Sequence, residues 1–189
     1  MWVTYLKVNV LVVKYILPLK LQLRWVELID TYSMREWVAG LRLVDGVIDW
    51  FGFKVGTKGE VEPVDLKGVT NPVGTVHYHP YEHSVTPIPS VNDCINWVYS
   101  SYHEVPNDLN PIFFIVFKDR YASWVMFPKP PIIRELWIKE YVKVRTDVKD
   151  EIEAREKATV NLCLELPAGD IIKAGIFKLG ERDKEFITF

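Results

Sequence analysis

The sequence predicts an α/β fold, a mixed β-sheet with flanking helices, and three observations predict it. Glu36 to Val44 and Val47 to Val55 are rich in β-branched and aromatic residues, the composition of paired strands. Asp45-Gly46 between them is a favoured two-residue hairpin turn. Trp25, Leu28, Ile29 and Tyr32, and later Val91, Cys94, Ile95, Val98 and Tyr102, recur three and four apart, the spacing of helices with one apolar face.

The remaining elements follow in order. Trp2 to Leu17 is apolar, but Lys7, Asn9 and Lys14 interrupt it and no small-residue cleavage site follows, so it is too short and too charged to span a bilayer. Val8, Val10, Val12 and Val13 make it an extra N-terminal strand over residues 1–15. Leu17 to Leu23 alternates as a strand does, ahead of the Trp25 helix. Thr57 to Val73 carries Pro63, Pro72, two glycines and several charges, which makes it a long loop or an irregular insertion. Thr75 to His79 is a short strand ended by Pro80, and Pro89-Ser90 leads into the Val91 helix. Ile112 to Phe117 and Tyr121 to Phe127 form a second hairpin with Asp119-Arg120 near its turn, and Pro128 to Pro131 punctuates its end. Beyond lie a strand at Leu136 to Val144, a charged helix at Asp147 to Ala158, a strand at Val160 to Leu166 and a closing Glu185 to Phe189. Residues 1–130 thus read as the main domain and 131–189 as a C-terminal αβ extension. That extension adds strands to the core, forms a partner-binding lobe or holds a homo- or hetero-oligomer together, and the apolar ending Phe186 to Phe189 favours docking.

Gly74 to Asp93 holds three of the four histidines, and there the chemistry concentrates. Residues two apart on a strand share a face, so His77 and His79 aim two imidazoles together while Val76 and Tyr78 point the other way. Asp93 falls in the first turn of the following helix. Catalytic zinc takes three nitrogen or oxygen ligands from protein and keeps one position open for water, and two histidines with one aspartate meet that count. The ion lowers the pKa of its water to about 7, and a nearby carboxylate must then carry the proton to the leaving group. Ser90-x-x-Asp93 reads equally well as a helix cap, the serine oxygen accepting from the first turn and the acid complementing the helix dipole.

The HxHP sequence at His77, followed by a loop and then Pro89-Ser90-x-x-Asp93, resembles the zinc motif of the JAMM (MPN-plus) metallopeptidases, which include deubiquitinating isopeptidases. In that family a glutamate upstream begins a strand, and Glu36-Trp37-Val38-Ala39-Gly40-Leu41 has that form. The resemblance covers roughly Ile16 to Phe127. It implies zinc on His77, His79 and Asp93, Glu36 as general base and acid, and Ser90 stabilising the oxyanion. It also implies a JAMM-like fold with cytidine-deaminase-like layering. The substrate it implies is the extended C-terminal tail of a ubiquitin-like modifier, gripped as an added strand near the Thr57 to Val73 segment. A sulfur-carrier protein or a small peptide is an alternative substrate, and a non-catalytic MPN-type scaffold an alternative role. The loop from Pro80 to Asn92 is longer than the family's usual one, which brings Glu82 and His83 near the metal as secondary candidates. Glu60 and Glu62 compete weakly with Glu36 for the base, since they lie in the loop. A cupin also uses an HxH strand, but its landmarks fail here: Gly74 is too close to His77, Glu82 too close to His79, and Pro89 stands where a glycine belongs.

At 189 residues, 49% hydrophobic and 25% charged, the chain is long enough for one full core. A net charge of −2 with no basic block argues against a nucleic-acid partner. Cys94 and Cys163 are two isolated thiols without a CxxC, which excludes a cysteine zinc site and a disulfide framework and points to a reducing, cytoplasmic setting. One glutamine among plentiful Lys, Glu, Val and Ile slants towards a thermophilic, archaeal source.

Overall fold

The computed structural model describes residues 14–80, 89–164 and 172–188, Leu164 by its backbone alone. Among the described residues the elements run β1 (Lys14–Leu17), α1 (Leu19–Thr31), β2 (Trp37–Val44), β3 (Val47–Val55), β4 (Pro72–His79), α2 (Val91–His103), β5 (Ile112–Phe117), β6 (Tyr121–Met126), α3 (Pro130–Arg145), α4 (Glu151–Leu164), β7 (Lys173–Lys178) and β8 (Lys184–Ile187). All eight strands join one sheet in the order β7-β6-β5-β4-β2-β3-β1-β8. The β4·β5 and β1·β3 pairs are parallel and the rest antiparallel, so the sheet is mixed and the fold α/β.

The sheet curls until its two edges meet. Phe186 of β8 packs on Phe114 of β5, Trp124 of β6 and Phe177 of β7, with ring centroids 5.4, 4.9 and 6.2 Å apart. Lys173 Nζ of β7 donates to the Ile187 carbonyl of β8 at 2.9 Å. Helix α1 fills the concave side, where fully buried Trp25 lies 5.5 Å from Phe114. The alternation of strand side chains sends Trp37, Ala39, Leu41, Val76, Tyr78 and Phe114 to that side. On the convex side Phe113, Ile115 and Phe117 pack beneath Cys94, Trp97 and Leu162 of α2 and α4. Strand β5 is therefore covered on both faces, which is why all six of its residues are apolar.

Strands β3 and β5 occupy the residues expected of them. Asp45 and Gly46 both take positive φ, 51° and 79°, the two-residue hairpin turn their identities favour. Gly74 is needed where β4 approaches β5: a Cβ there would stand 1.9 Å from the Ile112 carbonyl oxygen.

Three expected strands are corrected to helix. Leu17 to Leu23 alternates, but only its first residue is strand; Pro18 caps α1, and the buried set Leu21, Trp25, Leu28 and Ile29 follows the helical period while Leu23 is 46% exposed. Leu136 to Val144 lies inside α3, which starts with Pro130 at its N-terminus, where a missing N–H costs nothing. Its apolar residues Ile133, Leu136, Trp137 and Val144 recur at helical spacing against α2 and α4. Val160 to Leu164 continues α4, whose buried Ala154, Ala158 and Leu162 lie four apart, while residues 165 and 166 lie outside the described set. The N-terminal strand expected over 1–15 is described only from Lys14, and Phe189 lies outside the described residues. Of the three roles open to residues 131–189, adding strands to the core is one the chain uses, through β7 on β6 and β8 on β1. No helix among the described residues is long and apolar enough to cross a membrane.

Candidate metal centre

Trp37 and Tyr78 stack on the concave side with centroids 5.6 Å apart, and the Tyr78 hydroxyl donates to the Ser33 carbonyl. Their strand neighbours must face the other way, towards α2. In the β2·β4 ladder Trp37 pairs with Tyr78 and Val38 with His77, so the antiparallel register sets Glu36 beside His79. The Glu36 backbone is itself held: its N–H donates to the Thr57 carbonyl at 2.7 Å and its carbonyl accepts from Gly56 at 2.9 Å. Three side chains, Glu36, His77 and His79, are thereby placed on one patch of the convex face.

Helix α2 delivers the fourth. Ser90 and Asp93 form a complete capping box, with Asp93 N–H donating to Ser90 Oγ at 3.1 Å and Ser90 N–H donating to Asp93 Oδ2 at 2.8 Å. The Ser90 hydroxyl donates to Asp93 Oδ2 at 2.7 Å. Asp93 Oδ1 stands 2.9 Å from His77 Nδ1, and Oδ2 stands 3.4 Å from His79 Nε2. The other nitrogen of His77, Nε2, is 3.1 Å from Glu36 Oε2. Glu36, His79 and Asp93 are buried and His77 nearly so. The two imidazoles meet edge to face, 4.6 Å between centroids.

Two carboxylates and two imidazoles out of water need positive charge among them. Burial alone would lower the His77 pKa, but its hydrogen bonds to Asp93 and Glu36 outweigh burial and push it up to about 9. Burial would likewise raise Asp93, yet its bonds to His77 and His79 hold it well below the usual carboxylate range. A proton on His77 thus supplies the cation that the cluster calls for.

One donor atom from each of Glu36, His77 and His79 lies within 4.8 Å of the other two, so this buried Glu/His/His group could hold a metal ion. An imidazole pair with one carboxylate is a donor set that zinc accepts. Of the sequence-derived site residues, the structure brings Glu36, His77, His79, Ser90 and Asp93 together. Asp93, expected as the third ligand, stands on the Nδ1 side of His77, whereas Glu36 stands on the Nε2 side. Glu82 and His83 lie outside the described residues. Of the loop expected from Thr57 to Val73, residues 57–71 form no helix or strand while Pro72 and Val73 already belong to β4, and Glu60 and Glu62 within it are exposed. What sequence reading missed is a recess beside His77, lined by residues of α2 and of the 61–67 segment. Spacing alone carries no signal for it, because a loop and a helix far apart in the chain form its walls. Compared with protein-family models, with curated proteins and with solved structures, the chain matches none.

Proposed function

We propose that this protein is a zinc-dependent metallohydrolase of JAMM type that cleaves an amide or isopeptide bond. The observation that carries the reading is the approach of Glu36, from the start of β2, to 3.1 Å from His77 beside His79 and Asp93. A carboxylate brought to an HxH pair from a distant part of the chain is what proton transfer in amide hydrolysis requires. When bound there, zinc supplies Lewis-acid chemistry, polarising the substrate carbonyl and acidifying water. His77 and His79 hold the ion. Glu36 accepts the proton of the attacking water and returns it to the leaving nitrogen. Ser90 Oγ, at the mouth of α2, donates to the oxyanion once its hydrogen bond to Asp93 opens.

Asp93 completes the ligand set in this reading. A second assignment of roles has its own support: the Glu36/His77/His79 grouping and the 2.9 Å bond from Asp93 to His77 Nδ1. There Glu36 is the third ligand and Asp93 is the carboxylate that orients a ligating histidine through its other nitrogen. Measuring zinc in Glu36→Gln separates the two, since the ion stays if Glu36 is the base and leaves if it is a ligand. The substrate we propose is the extended C-terminal tail of a ubiquitin-like or sulfur-carrier protein, in a cytoplasmic setting suited to the free, buried Cys94 and Cys163. The test of the function is release of product from such a tail by the zinc-loaded protein. Zinc bound without turnover of any amide substrate would leave a non-catalytic scaffold instead.

A further inference from the structure

Strand β3 outruns its neighbour on one side. It pairs with β2 from Val47 to Val55, but β1 has only four residues and meets β3 in a single register pair, Ile16 with Val47. The Ile16 N–H donates to the Gly46 carbonyl at 2.9 Å. In a parallel ladder the next such bond would run from residue 18 to the Ile48 carbonyl, and residue 18 is a proline without an N–H to donate. Pro18 caps α1 instead, and the chain leaves the sheet. The two-residue turn at Asp45-Gly46 makes Val44 and Val47 a hydrogen-bonded pair, so Val47 and Asp49 turn their backbone groups to β2 while Ile48 and Trp50 turn theirs away. The Ile48 carbonyl and both backbone groups of Trp50 have no partner among the described residues. Such an edge is a template for another strand.

A groove of about 1100 Å³ runs beside that edge, between β3 and α1. Ile48 and Trp50, which point to the concave side, and Val47 and Asp49, which point to the other, all line it, so it follows the edge of the strand and neither face. Leu23 of α1 and Val44 beside the turn, each about half exposed, give it apolar walls. Two of its charges are neutralised within the fold, Arg24 by Glu27 at 2.7 Å and Asp49 by Arg42 at 2.8 Å. Asp45 and Lys20 are in no ion pair among the described residues. Asp45 precedes β3 and Lys20 follows the parallel β1, so the two mark opposite ends of the groove. Because a helix forms the far wall, a lone strand fits where the sheet of a second copy would meet α1. We infer that this groove receives an extended segment of a partner protein as a strand added to β3, with apolar side chains at alternate positions, an acidic residue at Lys20 and a basic one at Asp45. Main-chain bonds to Ile48 and Trp50 would supply affinity, and the apolar walls selectivity. The groove lies at the opposite end of β2 from Glu36, about 26 Å along the strand at 3.3 Å per residue, and does not rest on the hydrolase reading.

The probe is a blocked, fluorescein-labelled peptide that alternates valine and threonine between a lysine and a glutamate, made in both orders and titrated with the full chain by anisotropy. Binding is expected with zinc and with chelator alike. Successive residues of a strand turn their N–H groups to opposite edges, so N-methylating one alternate set of amides should weaken binding about tenfold or more, and methylating the other set no more than about twofold. Leu23→Asp should also weaken it about tenfold or more with the circular dichroism unchanged, and Val44→Asp is the second variant should the first not fold. Lys20→Glu should weaken it as well. No binding in either order, an equal loss from both methylated sets, or an affinity untouched by Leu23→Asp and Val44→Asp would overturn the proposal. Binding that requires zinc would place the peptide at the metal centre and overturn it too. A concentration-dependent dimer in sedimentation that Leu23→Asp dissolves would give the edge to a second copy and overturn the peptide as its occupant.

Discussion

Glu36 Oε2 and His77 Nε2 lie 3.1 Å apart although 41 residues separate them in the chain. The antiparallel register of β2 on β4 makes the contact, and Trp37 stacked on Tyr78 locks that register from the opposite face. A slip of one residue would turn one of the two groups into the concave core and away from the other.

Zinc is expected at about one equivalent per chain, the count for a single site. His77→Ala and His79→Ala should each remove it, and elemental analysis of the purified variants checks this. Full zinc in the double variant would end the assignment. If His83→Ala depletes zinc while Asp93→Ala does not, the loop after Pro80 supplies the third ligand.

Glu36→Gln should preserve the fold and zinc while abolishing turnover, because the amide is nearly isosteric but accepts no proton. Turnover on any cleavable peptide reads the outcome. Loss of zinc assigns Glu36 as a ligand, and unchanged activity moves the base to Glu60 or Glu62.

Ser90→Ala removes one half of the capping box and should lower stability by about 0.5–2 kcal/mol. With an oxyanion role as well, kcat should fall roughly 10²–10³-fold while zinc stays bound. A variant that melts earlier and turns over at the normal rate would leave Ser90 as a cap only.

The metal-free protein should lose stability on the alkaline side. His77 has its pKa raised from an ordinary value near 6.5 to about 9, so the protonated ring favours the folded state fully below the lower value. That contribution disappears as pH rises through about 9. Zinc must displace the same proton, so apparent zinc affinity should rise over this window and the stability gap between zinc-bound and metal-free protein should widen. Melting temperatures measured with chelator and with zinc across pH 6–10 test both trends; a flat metal-free profile would contradict them.

Phe186→Ala should destabilise by about 3–5 kcal/mol, since the ring is buried against Phe114, Trp124 and Phe177 where the sheet closes. Denaturant unfolding measures it. A change within ±0.5 kcal/mol, the size of an ordinary surface substitution, would show that β8 is not part of the core.

Much of the site was legible because its local rules are strong. A period of two put His77 and His79 on one face, Pro80 ended the strand, and Ser90-x-x-Asp93 announced a cap that is present in full. The α/β class and the two hairpins followed from turn residues and strand composition. The C-terminal third was less legible. Leu136 to Val144 mixes β-branched and aromatic residues that suit a strand, and only the stripe Ile133, Leu136, Trp137 and Val144, seen against its packing partners, shows the helix. Trp137 confirms the choice by donating from Nε1 to Thr159 of α4 at 2.9 Å and stacking on Tyr141 one turn away.

The sequence by itself determined which residues face together within each element, because side-chain direction along a strand or around a helix is fixed by backbone geometry over a few residues. It determined the hairpin at Asp45-Gly46, the capping box and the paired imidazoles. Tertiary structure alone decided how distant elements meet. It chose which nitrogen of His77 faces Glu36 and which faces Asp93, how β8 returns to close the sheet, and the recess between α2 and the 61–67 segment. Those outcomes depend on packing and on ring orientation between segments tens of residues apart, where no local periodicity reaches.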